Sequence, residues 1–129
     1  MKTDIKRQWV EALRSGDYQQ GKEYLRKDDK FCCLGVLCDL AVKAGVVTEA
    51  PGVNGSTLYG VEGDRDSEVL PRAVQEWAGL DDRVPSVVTS LHDDDPDDDP
   101  EAVSIEVAEL NDSFCYDFEA LADLIEAQL

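Results

Sequence analysis

FCCLGVLCDLAV, residues 31–42, is the longest nearly uninterrupted apolar run in a chain that is otherwise strongly acidic. Lys43, Ala44 and the stop signal Gly45 follow it, and the run lacks a β-only composition, so it reads as a buried helix over residues 31–44. At about 100° per residue, Leu34, Leu37, Cys38 and Ala41 share one face, and Cys33, Val36, Leu37 and Leu40 another. A helix apolar on every side belongs in a core. Its one charge, Asp39, must then protonate, reach an edge or pair with a cation, and the preceding basic segment offers Lys22, Arg26 and Lys27. Gly35 permits a close approach of other backbone or of a ligand.

Around this helix the chain of 129 residues, 43% hydrophobic, has material for one core and one domain, residues 1–129. The beginning MKTDIKRQWV is charged throughout, with no apolar signal region, and no stretch is apolar enough to span a bilayer. A cytoplasmic protein without membrane contact is expected. Three of the four cysteines sit in the apolar run, which suits reduced, buried thiols rather than a disulfide framework.

Charge is uneven along the chain. Residues 1–30 hold eight lysines and arginines against six acids, whereas residues 31–129 hold four against 23. Most of the surface would repel a nucleic-acid duplex, so direct nucleic-acid binding is disfavoured and not expected, and basic partners are favoured, unless the acidity serves only solubility.

Toward the N-terminus, Thr3 is placed to cap a helix in which Ile5, Trp9, Ala12 and Leu13 recur on one face and which Arg14, Ser15 and Gly16 close. Residues 17–30 read as a short strand or extended feed with a Lys-Asp-Asp-Lys turn. On the other side, residues 45–69 contain five of the nine glycines and read mostly as loop, with short strands around Leu58–Val61 and Val69–Leu70. Pro71 opens a helix carrying Ala73, Val74, Trp77 and Ala78, Gly79 ends it, and Val87–Val88 suggest a strand. Residues 93–101 pack seven carboxylates with two prolines, so an extended acidic Asp/Pro loop is expected over 92–102. Its spacing lacks the glycine and final glutamate of an EF-hand. Beyond it, Ser104 would cap a short helix over Ile105–Leu110, and Asp117 a last one bearing Phe118, Leu121, Ala122, Leu124 and Ile125. These two would form a hairpin over residues 31–42. It carries no cations to read a DNA groove. The fold class is therefore α+β, mostly helical around the central helix, with a small antiparallel sheet.

Four blocks, WVEALRSGDYQQGKEYL, FCCLGVLCDL, LPRAVQEWAGL and AELNDSFCYDFEALADLIE, together resemble a family of small accessory proteins of tailed bacteriophages without assigned function. In that family a glycine follows the Gly-Lys pair and another lies in the turn before the last helix. Here those places hold Glu23 and Ser-Phe-Cys-Tyr, residues 113–116. The resemblance implies a phage accessory protein and no catalytic residue.

Chemistry-bearing residues are few. Cys32 and Cys33 point about 100° apart on a helix and Cys38 about 240° round from Cys32, so with Cys115 and His92 they do not make a metal set, and no nucleophile–base pair is evident. A non-enzymatic protein without cofactor is expected. A pocket of Tyr18, Gln20, Lys22 and Arg26, with Asp39 beneath and Tyr59 and Asn111 completing it, would offer aromatic stacking, an amide and two cations, as a small anionic molecule such as a nucleotide needs. The leading expectation is a counter-defence protein of the host cytoplasm that sequesters a nucleotide signal. The alternative is an acidic, DNA-mimicking inhibitor of a basic host protein. Association between copies is open under either.

Overall fold

The computed structural model describes residues 1–90 and 102–129. In chain order the elements are α1 (Thr3–Arg14), β1 (Gln19–Gln20), β2 (Arg26–Lys27), β3 (Lys30–Phe31), α2 (Cys33–Lys43), β4 (Thr48–Pro51), a 3-10 turn (Val53–Gly55), β5 (Thr57–Val61), β6 (Asp64–Asp66), α3 (Arg72–Ala78), β7 (Ser86–Ser90), β8 (Ala102–Glu106), α4 (Val107–Asp112) and α5 (Phe118–Gln128). The fold is α+β, with helices around α2 and short sheets at the margins. No described helix is long and apolar enough to cross a membrane. The acidic tract lies outside the described residues, apart from Ala102, which begins β8.

The central helix is as buried as its composition demands. Cys33 to Cys38 and Ala41 are inside, and Phe31 and Cys32 lead in from β3. Gly35 lies against the backbone of Leu25: a Cβ there would come within 1.6 Å of the Leu25 carbonyl oxygen, so only glycine lets the segment before β2 cross α2. Trp9 anchors α1, fully buried, with its indole N–H donating to the Cys33 carbonyl at 2.9 Å. The C-terminal helices divide their contacts. α4 packs on α2, whereas α5 lies chiefly along α1, where Arg14 bridges Asp123 at 2.5 Å and Glu126 at 2.7 Å. The expected hairpin over α2 is thus only half right: the apolar stripe of α5 meets the Ile5, Trp9 and Leu13 side of α1.

Sheet structure is richer than the one small sheet expected. β1 pairs parallel with β3, which pairs antiparallel with β2; β4, β5 and β6 form an antiparallel meander; β7 and β8 form a two-stranded ribbon. A bridge between Lys27 and Ser56 joins the first two sheets.

Several local expectations change. α1 begins at Thr3 with Lys2 at its N-cap and no side-chain cap, since a lysine side chain has no acceptor to offer; the Lys2 N–H donates to the Ala78 carbonyl at 2.8 Å. Pro71 is the N-cap of α3 rather than its first residue, and Gly79 closes that helix at φ 72°. Val69 and Leu70 form no strand: Asp66 Oδ1 accepts from the N–H groups of Glu68 and Val69 and turns the chain there. Ser104 caps nothing, since it lies in β8 opposite Val88, and the helix begins at Val107. Asp117 does cap α5, accepting from the Ala120 N–H at 2.8 Å.

Candidate functional site

The chain from Tyr18 to Phe31 carries Lys22, Arg26, Lys27 and Lys30 ahead of α2, and its geometry follows from two turns. Glu23 takes φ 73° while the Tyr24 N–H donates back to the Lys22 carbonyl at 2.9 Å, a three-residue turn of the rarer, strained hand. The second turn, Asp28-Asp29, joins β2 to β3 as a two-residue hairpin loop and sets Lys27 directly opposite Lys30. Lys22, Lys27 and Lys30 thereby surround a hollow of about 400 Å³ that Gln19, Gly21, Asp28 and Asp29 complete.

The seven sequence-predicted residues fall into separate groups rather than one pocket. Tyr18 and Asp39 come together: the phenol donates to Asp39 Oδ2, and Lys43 reaches Asp39 at 3.1 Å and the Tyr18 oxygen at 3.2 Å. The partner of Asp39 is thus Lys43, one turn along the same helix, and not Lys22, Arg26 or Lys27, because Asp39 lies on the edge of α2 that faces Tyr18. Burial, and then the bond to Asp39, hold the Tyr18 phenol above its ordinary pKa; Lys43 is raised by Tyr18 and Asp39. Tyr18 also packs edge-on against Phe31, with ring centroids 5.0 Å apart. This cluster fastens the basic segment to α2.

Gln20 and Asn111 form a second lock. The Gln20 amide donates to Asn111 Oδ1 at 2.8 Å and to the Tyr116 carbonyl at 2.7 Å, and Asn111 Nδ2 donates to the Gly21 carbonyl at 2.9 Å and to Asp112 at 2.8 Å. Asn111 is fully buried with its amide oxygen and both N–H groups bonded within the molecule, so it ties α4 to β1 rather than facing a ligand. Arg26 and Tyr59 lie on the far side of the first sheet. The Arg26 Nε donates to the Asp28 carbonyl at 2.8 Å, its terminal nitrogens stand 3.5 Å from Glu49 and 3.7 Å from Asp29, and its plane covers Phe31. It borders a different hollow, also about 400 Å³, with Glu49, Gly52 and Ser56. Tyr59 is completely buried with its hydroxyl near the Arg26 guanidinium, and burial pushes its pKa up while Arg26 opposes the shift. Of the seven, only Lys22 lines the lysine hollow. The Lys-Asp-Asp-Lys turn that opposes Lys27 and Lys30 is legible in the sequence, but the parallel pairing that sets Gln19 beside Lys30 is announced by no local pattern, so the set as a whole is not.

Lys22 has a further neighbour, the exposed thiol of Cys115, with Nζ 2.9 Å from Sγ, a contact that raises the Lys22 pKa. Cys115 takes φ 55° in the turn before α5, where the Tyr116 N–H returns to the Leu110 carbonyl at 3.0 Å. The remaining thiols are buried. Desolvation pushes Cys32 up to about 12 and raises Cys33 and Cys38 well above the ordinary thiol value, which suits packing groups rather than nucleophiles. Among the described residues, no group of three or more His, Cys, Asp or Glu is placed to hold a metal ion.

Over residues 1–129 the chain matches the model of the family described as Domain of unknown function (DUF8296), and it belongs to that family. Comparison with curated proteins and with solved structures gives no match.

Proposed function

We propose that this chain is a non-enzymatic accessory protein of a tailed bacteriophage, acting in the host cytoplasm against a defence system by holding a small anionic ligand of the nucleotide-signal class in the lysine-ringed hollow. One observation carries the ligand reading. Lys27 and Lys30 are held opposite each other in register, Lys22 stands beside them, and among the described residues none of the three forms an ion pair within 4.0 Å. Like charges opposed across a strand pair are destabilising, and a phosphate seated between them reverses the sign of that interaction. Gln19 adds an amide at the rim for a base or sugar edge. Asp28 and Asp29 on the same rim favour a ligand of compact charge over an extended polyanion, which would meet the acidic remainder of the surface. The phage and counter-defence part of the reading rests on the four-block resemblance.

A thermal-shift panel tests it. Cyclic mononucleotides, cyclic dinucleotides, ADP-ribose and inorganic pyrophosphate are each added to the full chain. One nucleotide should raise Tm, since ligand at a hundredfold excess over its Kd contributes about 2.7 kcal/mol. Tm unchanged by every nucleotide, or raised equally by pyrophosphate, overturns the nucleotide assignment.

A second reading draws on the 23 acids against four bases in residues 31–129: an acidic inhibitor of a basic host protein. It predicts salt-sensitive capture of such a protein. If capture survives removal of residues 93–101, that tract is not the contact.

A further inference from the structure

The outer edge of β7 already carries a stand-in for a peptide. Val88 turns both of its backbone groups away from β8 and toward the side chain of Gln128 at the end of α5: the Val88 N–H donates to Gln128 Oε1 at 2.6 Å, and Gln128 Nε2 donates to the Val88 carbonyl at 2.7 Å. A carboxamide bonded in both directions occupies the place that a neighbouring strand would fill with a peptide unit. Among the described residues, no other strand pairs with this edge.

From this geometry we infer that the β7 edge is a strand-addition surface for an extended, basic segment of a partner protein, and that Gln128 holds the central slot until the segment displaces it. Three observations fit that occupant. The strand Ser86-Val-Val-Thr-Ser90 is uncharged and rich in β-branched residues, and Val88 is 51% exposed. Alternation along the strand directs the backbone groups of Ser86 and Ser90 to the same side as those of Val88. Beside Ser86 and Gln128 opens a hollow of about 240 Å³ bordered by Asp81 and Asp82, where a lysine or arginine of the added segment would sit. The Gln128 bonds are at the surface, so displacing them exposes no buried polar group.

The test is an NMR titration of the full ¹⁵N-labelled chain with the capped peptide Lys-Val-Thr-Val-Lys. The Val88 amide and the Gln128 side-chain NH₂ signals should shift together, and Gln128→Ala, which removes the internal competitor, should bind at least about threefold more tightly. The same peptide N-methylated at its central residue should shift neither signal, and Glu-Val-Thr-Val-Glu should bind more weakly than the lysine peptide. A wild-type titration that leaves the Gln128 NH₂ unmoved overturns the proposal, as does a folded Gln128→Ala variant that binds no better. Sedimentation of Gln128→Ala without peptide provides the remaining check: a monomer agrees, and a dimer assigns the edge to a second copy and overturns the assignment to a basic partner.

Discussion

Among the described residues, four that are not glycine hold left-handed backbone, and two of them flank the lysine hollow. Glu23 at φ 73° and Cys115 at φ 55° sit in the turns that bring Lys22 and the α4–α5 junction together. Side chains in this region cost of order 1–2 kcal/mol, part of which glycine loses again through its freer unfolded chain. Glu23→Gly and Cys115→Gly should therefore each stabilise the fold, by about 0.5–1 kcal/mol, read as a higher urea midpoint at unchanged slope. Gly35 gives the opposite sign. Its neighbour is the backbone of Leu25 rather than a movable side chain, so Gly35→Ala should cost about 3 kcal/mol or more, or prevent folding, by the same measurement. The need for glycine at position 35 was legible from its place in an apolar helix; that Leu25 makes the approach was not, because the crossing depends on the strands that follow it.

Among elements, those with a helical period were readable and those with a tertiary cause were not. α1, α2, α3 and α5 announce themselves through apolar stripes and end signals, and α5 owes its start to Asp117. Asp117→Ala should cost about 1 kcal/mol, seen in chemical denaturation, with faster amide exchange confined to the first turn of α5. β4 and β6 were missed within the glycine-rich stretch because Thr48–Pro51 and Asp64–Asp66 have no alternating pattern; each is a flank of β5 and takes its conformation from pairing with it. The same effect displaced the start of α4. Ser104 resembles a cap locally, but its pairing with Val88 in the β7–β8 ribbon holds it extended, so the helix waits until Val107. At the site, sequence chemistry points to Tyr18, Asp39, Gln20 and Asn111 as ligand contacts whereas the fold makes them internal locks, since short-range chemistry names polar residues without saying whether their partners are inside the molecule.

For the whole molecule, burial of three thiols, one at the N-cap of α2 and two within it, has a consequence for pH. Cys32, Cys33 and Cys38 all have raised pKa values when folded, against an ordinary value of 9.0, so the unfolded chain loses these protons first. Stability is then fully present below about pH 9 and falls as pH rises toward 12, by about 1.4 kcal/mol per pH unit for each thiol. Urea titrations at pH 7.5, 9 and 10 should show the midpoint falling a little over the first step and more steeply over the second; Cys38→Ala should lessen the drop. The formal charge of -17 acts over the same scale, and screening it with salt should stabilise the fold. Against that acidic field the lysine hollow stands out, and its opposed lysines are expected to weaken the empty protein slightly. Calorimetric titration of the wild type and of a Lys27→Ala/Lys30→Ala double variant with cyclic AMP, cyclic di-AMP and ADP-ribose in turn tests this directly. The account predicts saturable binding of one of them to the wild type and at least about tenfold weaker binding to the double variant, whose ligand-free stability is equal or higher. Equal affinity in the two proteins, or no binding heat from any of the three, would contradict it.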